Sequence, residues 1–162
     1  QSGSSDLTQV RELVQATGAE LGVRLRFLVG KPGLDGHSNG AEQIAVRARD
    51  AGFEVVYQRI RLTPAQIVAA AVEEDVDVVG LSILSGSHRA LVPAVVAGLQ
   101  AAGMTETVVV VGGIIPETDA QFFRANGVAE VFTPRDYDAT DIMRRVIEAV
   151  RRTRGLSAAV AV

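Results

Sequence analysis

The sequence predicts an α/β domain in which helices cover both faces of a five-stranded parallel sheet. Two observations carry this. From Arg24 onward, strand patterns alternate with helical patterns five times, the arrangement that builds parallel sheets through right-handed crossovers. The third and fourth strand patterns, Val76–Ser82 and Val108–Val111, are Val-rich runs, as strands shielded on both sides require. The expected strand order is 2-1-3-4-5, the flavodoxin-like (Rossmann-like) order. It places a ligand site beyond the carboxyl ends of strands one, three and four.

The elements follow in order. Asp6 is placed to cap a short helix carrying Leu7, Val10, Leu13 and Val14 on one face. Gly18 and Gly22 then separate this helix from the rest, so it is expected to be peripheral. The first two strands are read as Leu25–Val29 and Glu54–Tyr57, and the helix between them turns Ala41, Ile44, Ala45 and Ala48 to one face. Thr63-Pro64-Ala65-Gln66 is a capping-box signature with Pro at the first helical position. After the third strand, Leu91, Ala94, Val95 and Leu99 stripe a helix. After the fourth, Pro116 opens a helix that Asn126-Gly127 closes. Glu130–Phe132 is the fifth strand, and Ile142, Met143, Val146, Ile147 and Val150 stripe the last helix. Residues 1–23 are thus an N-terminal segment or linker helix whose first residues, Gln1–Ser5, read as a remnant with no fold role. Residues 24–154 form the domain, and 155–162 a flexible tail.

Composition narrows the function. Of the 162 residues, 48% are hydrophobic and 22% charged, a globular balance. The length holds one core but not also a substrate-binding barrel of about 250 residues. A formal charge of −3 without dense Lys/Arg clusters offers no field for nucleic acid. With no Cys, disulfides, iron–sulfur clusters and thiolate zinc sites are excluded. No apolar run reaches the roughly 18 residues of a membrane span, and no secretory signal is visible. A cytoplasmic protein is expected.

Three loops gather at the carboxyl edge of the predicted sheet. The first, Lys31-Pro32-Gly33-Leu34-Asp35-Gly36-His37-Ser38-Asn39-Gly40, is long and irregular, so a large ligand can approach its backbone. A neutral His37 imidazole can bind a transition metal through one nitrogen, with Asp35 fixing the other and Lys31 pairing with that carboxylate. A surface histidine in a polar turn is the alternative. A lone His suffices as protein ligand only where a macrocycle supplies the remaining ligands. Gly33, Gly36 and Gly40 match no dinucleotide fingerprint, and no P-loop occurs. The second loop runs from Ser82-Ile83-Leu84 to His88, and the third is Gly112-Gly113-Ile114-Ile115-Pro116. The small residues Ser82, Gly112 and Gly113 serve either tight turns or a deep slot walled by Leu84. Both readings stand on these residues alone.

Together the loops resemble the cobalamin-binding signature D-x-H-x-x-G … S-x-L … G-G. It is filled here by Asp35-Gly36-His37-Ser38-Asn39-Gly40, Ser82-Ile83-Leu84 and Gly112-Gly113, with 41 and 27 residues between the three parts. The resemblance covers Arg24 to Arg152. Gly30 through His37, Ser38 through Pro64, and Leu81 through His88 look most like acyl-CoA mutases that use adenosylcobalamin. Ethylmalonyl-CoA mutase is the nearest in pattern, with methylmalonyl-CoA and 2-hydroxyisobutyryl-CoA mutases as neighbours.

The resemblance implies residue roles. His37 is the lower axial ligand to cobalt, displacing the cofactor's dimethylbenzimidazole, with Asp35 and then Lys31 behind it. The displaced nucleotide tail enters a slot lined by Gly40, Ser82, Leu84, Gly112 and Gly113, while Gly36 and Ser38 shape the first loop. It further implies radical carbon-skeleton isomerisation of an acyl-CoA held on a separate TIM-barrel domain or subunit. This chain alone is then inactive, with no catalytic residue of its own. Two other classes are weighed beside it: a stand-alone cobalamin carrier or sensor, and a receiver or nucleotide domain sharing only the architecture. His88 is read as an exposed first-turn helix residue or else a contact to a corrin amide, Arg89 and Arg135 as solvated surface charge or else contacts to propionamides or a partner subunit, and Tyr57, Tyr137 and the five Phe as core or rim.

Overall fold

The computed structural model describes residues 2–32, 39–83, 89–136 and 138–158. In chain order the elements are α1 (Ser2–Leu21), β1 (Arg26–Pro32), α2 (Asn39–Asp50), β2 (Glu54–Leu62), α3 (Pro64–Glu74), β3 (Val78–Ile83), α4 (Leu91–Ala101), β4 (Val108–Gly113), α5 (Glu117–Ala125), β5 (Glu130–Phe132) and α6 (Ala139–Thr153). The sheet runs β2-β1-β3-β4-β5, and every neighbouring pair is parallel. This is the expected flavodoxin-like order. Among the described residues, no helix is long and apolar enough to cross a membrane.

Alternation along the strands sorts the side chains into two cores. Phe27, Val29, Val78, Val108 and Val110 face α1, α2 and α6, where Ala41, Ala45, Ala48, Val146 and Ile147 meet them. Leu28, Val79, Leu81, Val109 and Val111 face α3, α4 and α5 through Ile67, Val92, Val95 and Phe123. The Val runs of β3 and β4 are buried on both sides for this reason. The Thr63 capping box forms: Thr63 accepts a hydrogen bond from the Gln66 backbone at 3.2 Å, and the Gln66 side chain accepts one from the Thr63 N–H at 2.9 Å.

Several elements differ in extent from their patterns, β1 and β4 also ending later than expected. β2 continues to Leu62 rather than stopping at Tyr57, through the polar stretch Gln58–Arg61. It is an edge strand with one neighbour, so it needs no apolar outer flank. Its extension pairs with the end of β1 beyond an irregularity between Val29 and Lys31.

The larger difference is α1. It spans Ser2–Leu21, with Asp6 inside it rather than at its cap. It is also built into the core rather than peripheral: Val10 and Val14 are 1% and 3% exposed and pack with β1 and α6 residues. Gly22 has φ +73. The Val23 N–H bonds to Gly18 O at 3.0 Å and the Gly22 N–H to Ala19 O at 3.3 Å, which is a Schellman closure. A Cβ at Gly18 would come within 2.6 Å of the Val23 carbonyl oxygen. The two glycines therefore end α1 and turn the chain back into β1; they do not detach the helix.

Arg151 of α6 holds the other side of α1. Its side chain is fully buried. It donates to Thr17 Oγ1 at 2.8 Å, to Glu20 at 2.8 Å and to the Ser157 carbonyl at 2.7 Å. The clamp thus also binds the first residues after α6. Removing one partner of a buried ionic group destabilises, because packing and hydrogen bonds are lost together. We expect Arg151→Ala to lower stability by about 3 kcal/mol in urea unfolding and to make α1 the first site of limited proteolysis.

The same contact carries a pH dependence. The hydrogen bond from Arg151, opposed by some desolvation and aided by its charge, holds the Glu20 carboxyl below its ordinary value of 4.5. A depressed pKa contributes stability that is present above 4.5 and is lost as pH falls through the folded-state value. Acidification below about 4.5 is expected to loosen α1 in the wild type. Glu20→Gln should flatten that part of the stability–pH curve, and equal slopes for the two proteins would contradict the assignment.

Candidate functional site

Parallel strands all end at one edge, and there the chain becomes rich in small residues. Ser82 of β3 pairs in register with Gly112 of β4, and Ile83 with Gly113. Above and beside them opens a cavity of about 480 Å³. Ser82, Gly112, Gly113 and Ile114 form its sheet side. Gln43, Ile44 and Arg47 of α2 form one wall. Phe132, Thr133, Pro134 and Asp136, with Ala139, Ile142 and Met143 of α6, form the other. A second, smaller cavity of about 380 Å³ lies between α1 and the start of β1, lined by Arg11, Gly18, Arg24 and Gly52 among others.

The slot exists because side chains are missing from its floor. A Cβ at Gly112 would reach into it and meet Ile44 Cδ1 at 3.4 Å. Gly113 has φ +151, and a Cβ there would collide with the Ile83 carbonyl oxygen. This glycine lets β4 turn away at the mouth. The residue after it, Ile114, is 72% exposed at the rim.

One guanidinium stiffens the far wall. Arg145 of α6 donates to Glu130 at 2.7 and 3.1 Å and to Asp136 at 2.9 Å, and lies 4.7 Å over the Phe132 ring. Asp136 also accepts the Thr133 N–H at 2.9 Å. The turn that carries Thr133 and Pro134 is thus tied both to itself and to α6. At the start of α6, Asp138 caps the helix by accepting from the Thr140 and Asp141 N–H groups.

Of the residues singled out in the sequence, Ser82, Gly112 and Gly113 come together in this slot. Lys31 lies in the last part of β1, and Gly40 in the first turn of α2. Asp35, Gly36, His37, Ser38, Leu84 and His88 lie outside the described residues, as does Tyr137. The described residues on either side are the end of β1 at Pro32 and the start of α2 at Asn39, and α2 is one wall of the slot. Arg89 is engaged by α5: it bonds Asp119 at 2.9 Å and stacks over Phe122 at 4.1 Å.

The slot residues on α2, after β5 and on α6 were not singled out from the sequence. Their one available signal was position, since residues 133–136 follow the carboxyl end of β5 in the same way as the other loops. We expect Gly113→Ala to cost about 2 kcal/mol or more, because it combines an unfavourable φ with a backbone collision. Chemical denaturation of the two proteins measures it.

Comparison with known proteins adds the family. The B12 binding domain family matches residues 25–143. Ethylmalonyl-CoA mutase of Cereibacter sphaeroides is 57% identical over 147 residues, covering 91% of this chain and 22% of that protein. The 2-hydroxyisobutanoyl-CoA mutase small subunit of Aquincola tertiaricarbonis is 41% identical over 107 residues, covering 66% of this chain and 79% of the subunit. The chain spans about a fifth of the length of the ethylmalonyl-CoA mutases it matches. Among solved structures, a cobalamin-binding protein from Desulfitobacterium hafniense superimposes with TM-score 0.63 at 22% identity, covering 86% of this chain and 67% of that one. The receiver domain of NarL from Mycobacterium tuberculosis superimposes with TM-score 0.60 at 15% identity, covering 79% and 97%. At such identities both speak for the fold alone, and it is the sequence matches that decide: the chain belongs to the B12-binding domain family and is homologous to the corresponding part of acyl-CoA mutases.

Proposed function

We propose that this chain binds adenosylcobalamin base-off, with His37 as the lower axial cobalt ligand, and serves as the cofactor domain or small subunit of an acyl-CoA mutase of the ethylmalonyl/methylmalonyl type. The observation that carries the reading is the slot of about 480 Å³ at the carboxyl edge, floored by Ser82, Gly112 and Gly113. Its fit to a nucleotide tail rests on the floor itself. Gly112 carries no Cβ, one there would already touch Ile44 Cδ1 at 3.4 Å, and the surrounding Ile44, Phe132 and Met143 offer apolar surface to a planar base.

In this reading each loop has a task. Asp35 accepts the hydrogen bond of the non-ligating His37 nitrogen and so fixes the tautomer and raises ligand basicity, with Lys31 behind it. Gly36, Ser38 and Gly40 let the first loop approach the ring, Ser82 meets the displaced base, and Leu84 walls the slot. Ile114, apolar and exposed at the rim, faces the corrin or the partner. When bound, the cofactor supplies an adenosyl radical for hydrogen abstraction from an acyl-CoA.

The substrate is held elsewhere, on a TIM-barrel domain or large subunit. Support comes from relatives of two kinds: long mutases that contain this region as a part, and small subunits of 2-hydroxyisobutanoyl-CoA and pivalyl-CoA mutases. The chain alone binds cofactor without turning over acyl-CoA, acts in the cytoplasm, and engages no nucleic acid.

Visible absorption of the chain with cobalamin, and electron paramagnetic resonance after one-electron reduction of the bound cofactor to cob(II)alamin, test this. Wild type is expected to give a base-off, histidine-ligated spectrum, with a nitrogen splitting that changes when the protein's histidines carry heavy nitrogen. His37→Ala should lose both features. Gly112→Leu, which fills the floor, should weaken retention at least about tenfold while circular dichroism stays native. A splitting that still responds to heavy-nitrogen histidine in His37→Ala would refute the ligand assignment.

A further inference from the structure

We propose that Arg47 binds the phosphodiester of the cobalamin nucleotide tail, so that the slot selects complete cobalamins over corrinoids lacking the nucleotide. This rests on the reading of the carboxyl-edge slot as the site of that tail.

Gln43, Ile44 and Arg47 lie on one face of α2, at the spacings that bring helical side chains together, and all three line the slot. Ile44 is half-buried and packs toward the core. Arg47 is exposed, which puts its guanidinium at the outer lip. The charges along the lining are unequal in status. Asp136 is already satisfied by Arg145 and by the Thr133 N–H. Arg47 makes no side-chain hydrogen bond or ion pair with the described residues. Arg26, Arg145, Arg151 and Arg154, by contrast, each spend their charge on carboxylates within the fold. An uncompensated guanidinium beside apolar walls attracts an anion more strongly than one in open water. Its planar fork also suits phosphate oxygens. The nucleotide tail carries a single ionised group, its phosphodiester, and Arg47 is the slot-lining cation left to meet it.

The test is a set of binding titrations, followed by absorbance, of wild type, Arg47→Gln and Arg47→Lys with hydroxocobalamin and with aquocobinamide, which lacks the nucleotide. Wild type is expected to prefer hydroxocobalamin, with an affinity that falls as salt is raised. Arg47→Gln should weaken hydroxocobalamin about tenfold, abolish most of the salt dependence and leave aquocobinamide unchanged. Arg47→Lys should fall between. Equal weakening of both ligands, or of neither, by Arg47→Gln overturns the assignment while leaving the slot reading intact. A wild type that binds the two corrinoids equally well, or neither, overturns the slot reading and the proposal with it. The two failures therefore appear in different proteins.

Discussion

Each strand of this sheet runs the same way, and nearly everything else follows from that. A parallel pair cannot be closed by a hairpin, so each return passes through a helix and the sheet is covered on both faces. All strand-to-helix loops then open at one edge. Where the order reverses, between β1 and β3, the helices that follow them leave on opposite faces and a crevice is unavoidable. Here the crevice deepens into a slot because near their ends β3 and β4 carry Ser82, Gly112 and Gly113 rather than the Val and Leu found earlier in the same strands. Function in this fold is made by subtraction at the ends of well-packed strands.

Two arginines of α6 divide the work of holding the helix in place. Arg151, fully buried, reaches to Thr17 and Glu20 and binds α1 to the domain. Arg145, partly exposed, binds α6 to the β5 turn and presses on Phe132. The first maintains the body and the second shapes a slot wall. Because α6 carries both, the slot and the N-terminal helix are supported by one amphipathic element whose apolar stripe, Met143 to Val150, is sunk in the core. At the opposite edge, Asp77 plays a related part, accepting the Arg26 N–H at 2.9 Å and an Arg154 guanidinium at 2.7 Å.

Much of this was readable in the residues. The Val108–Val111 run marked a strand buried on both faces, Thr63 to Gln66 marked a helix start atom for atom, and Glu130–Phe132 marked a three-residue strand at its true bounds. Ser82 and Gly112-Gly113 were legible as candidates for a slot floor, and the structure does bring them together along one cavity. The roles of α1 and β2 were not legible. Gly18 and Gly22 look alike whether they sever a helix or cap it, since the distinction lies in which carbonyls their neighbours reach. The polar stretch Gln58–Arg61 looks like a loop unless the strand is known to be at an edge.

The sequence by itself determined the order of elements and the faces they bury, because these depend on spacings of a few residues along the chain. The tertiary structure alone decided which distant groups meet: Arg151 with Thr17, Arg145 with Glu130 and Asp136, and α2 with α6 across the floor of Gly112. Such pairings separate residues by tens of positions. They are set by helix packing on a twisted sheet, for which no local pattern of amino acids codes.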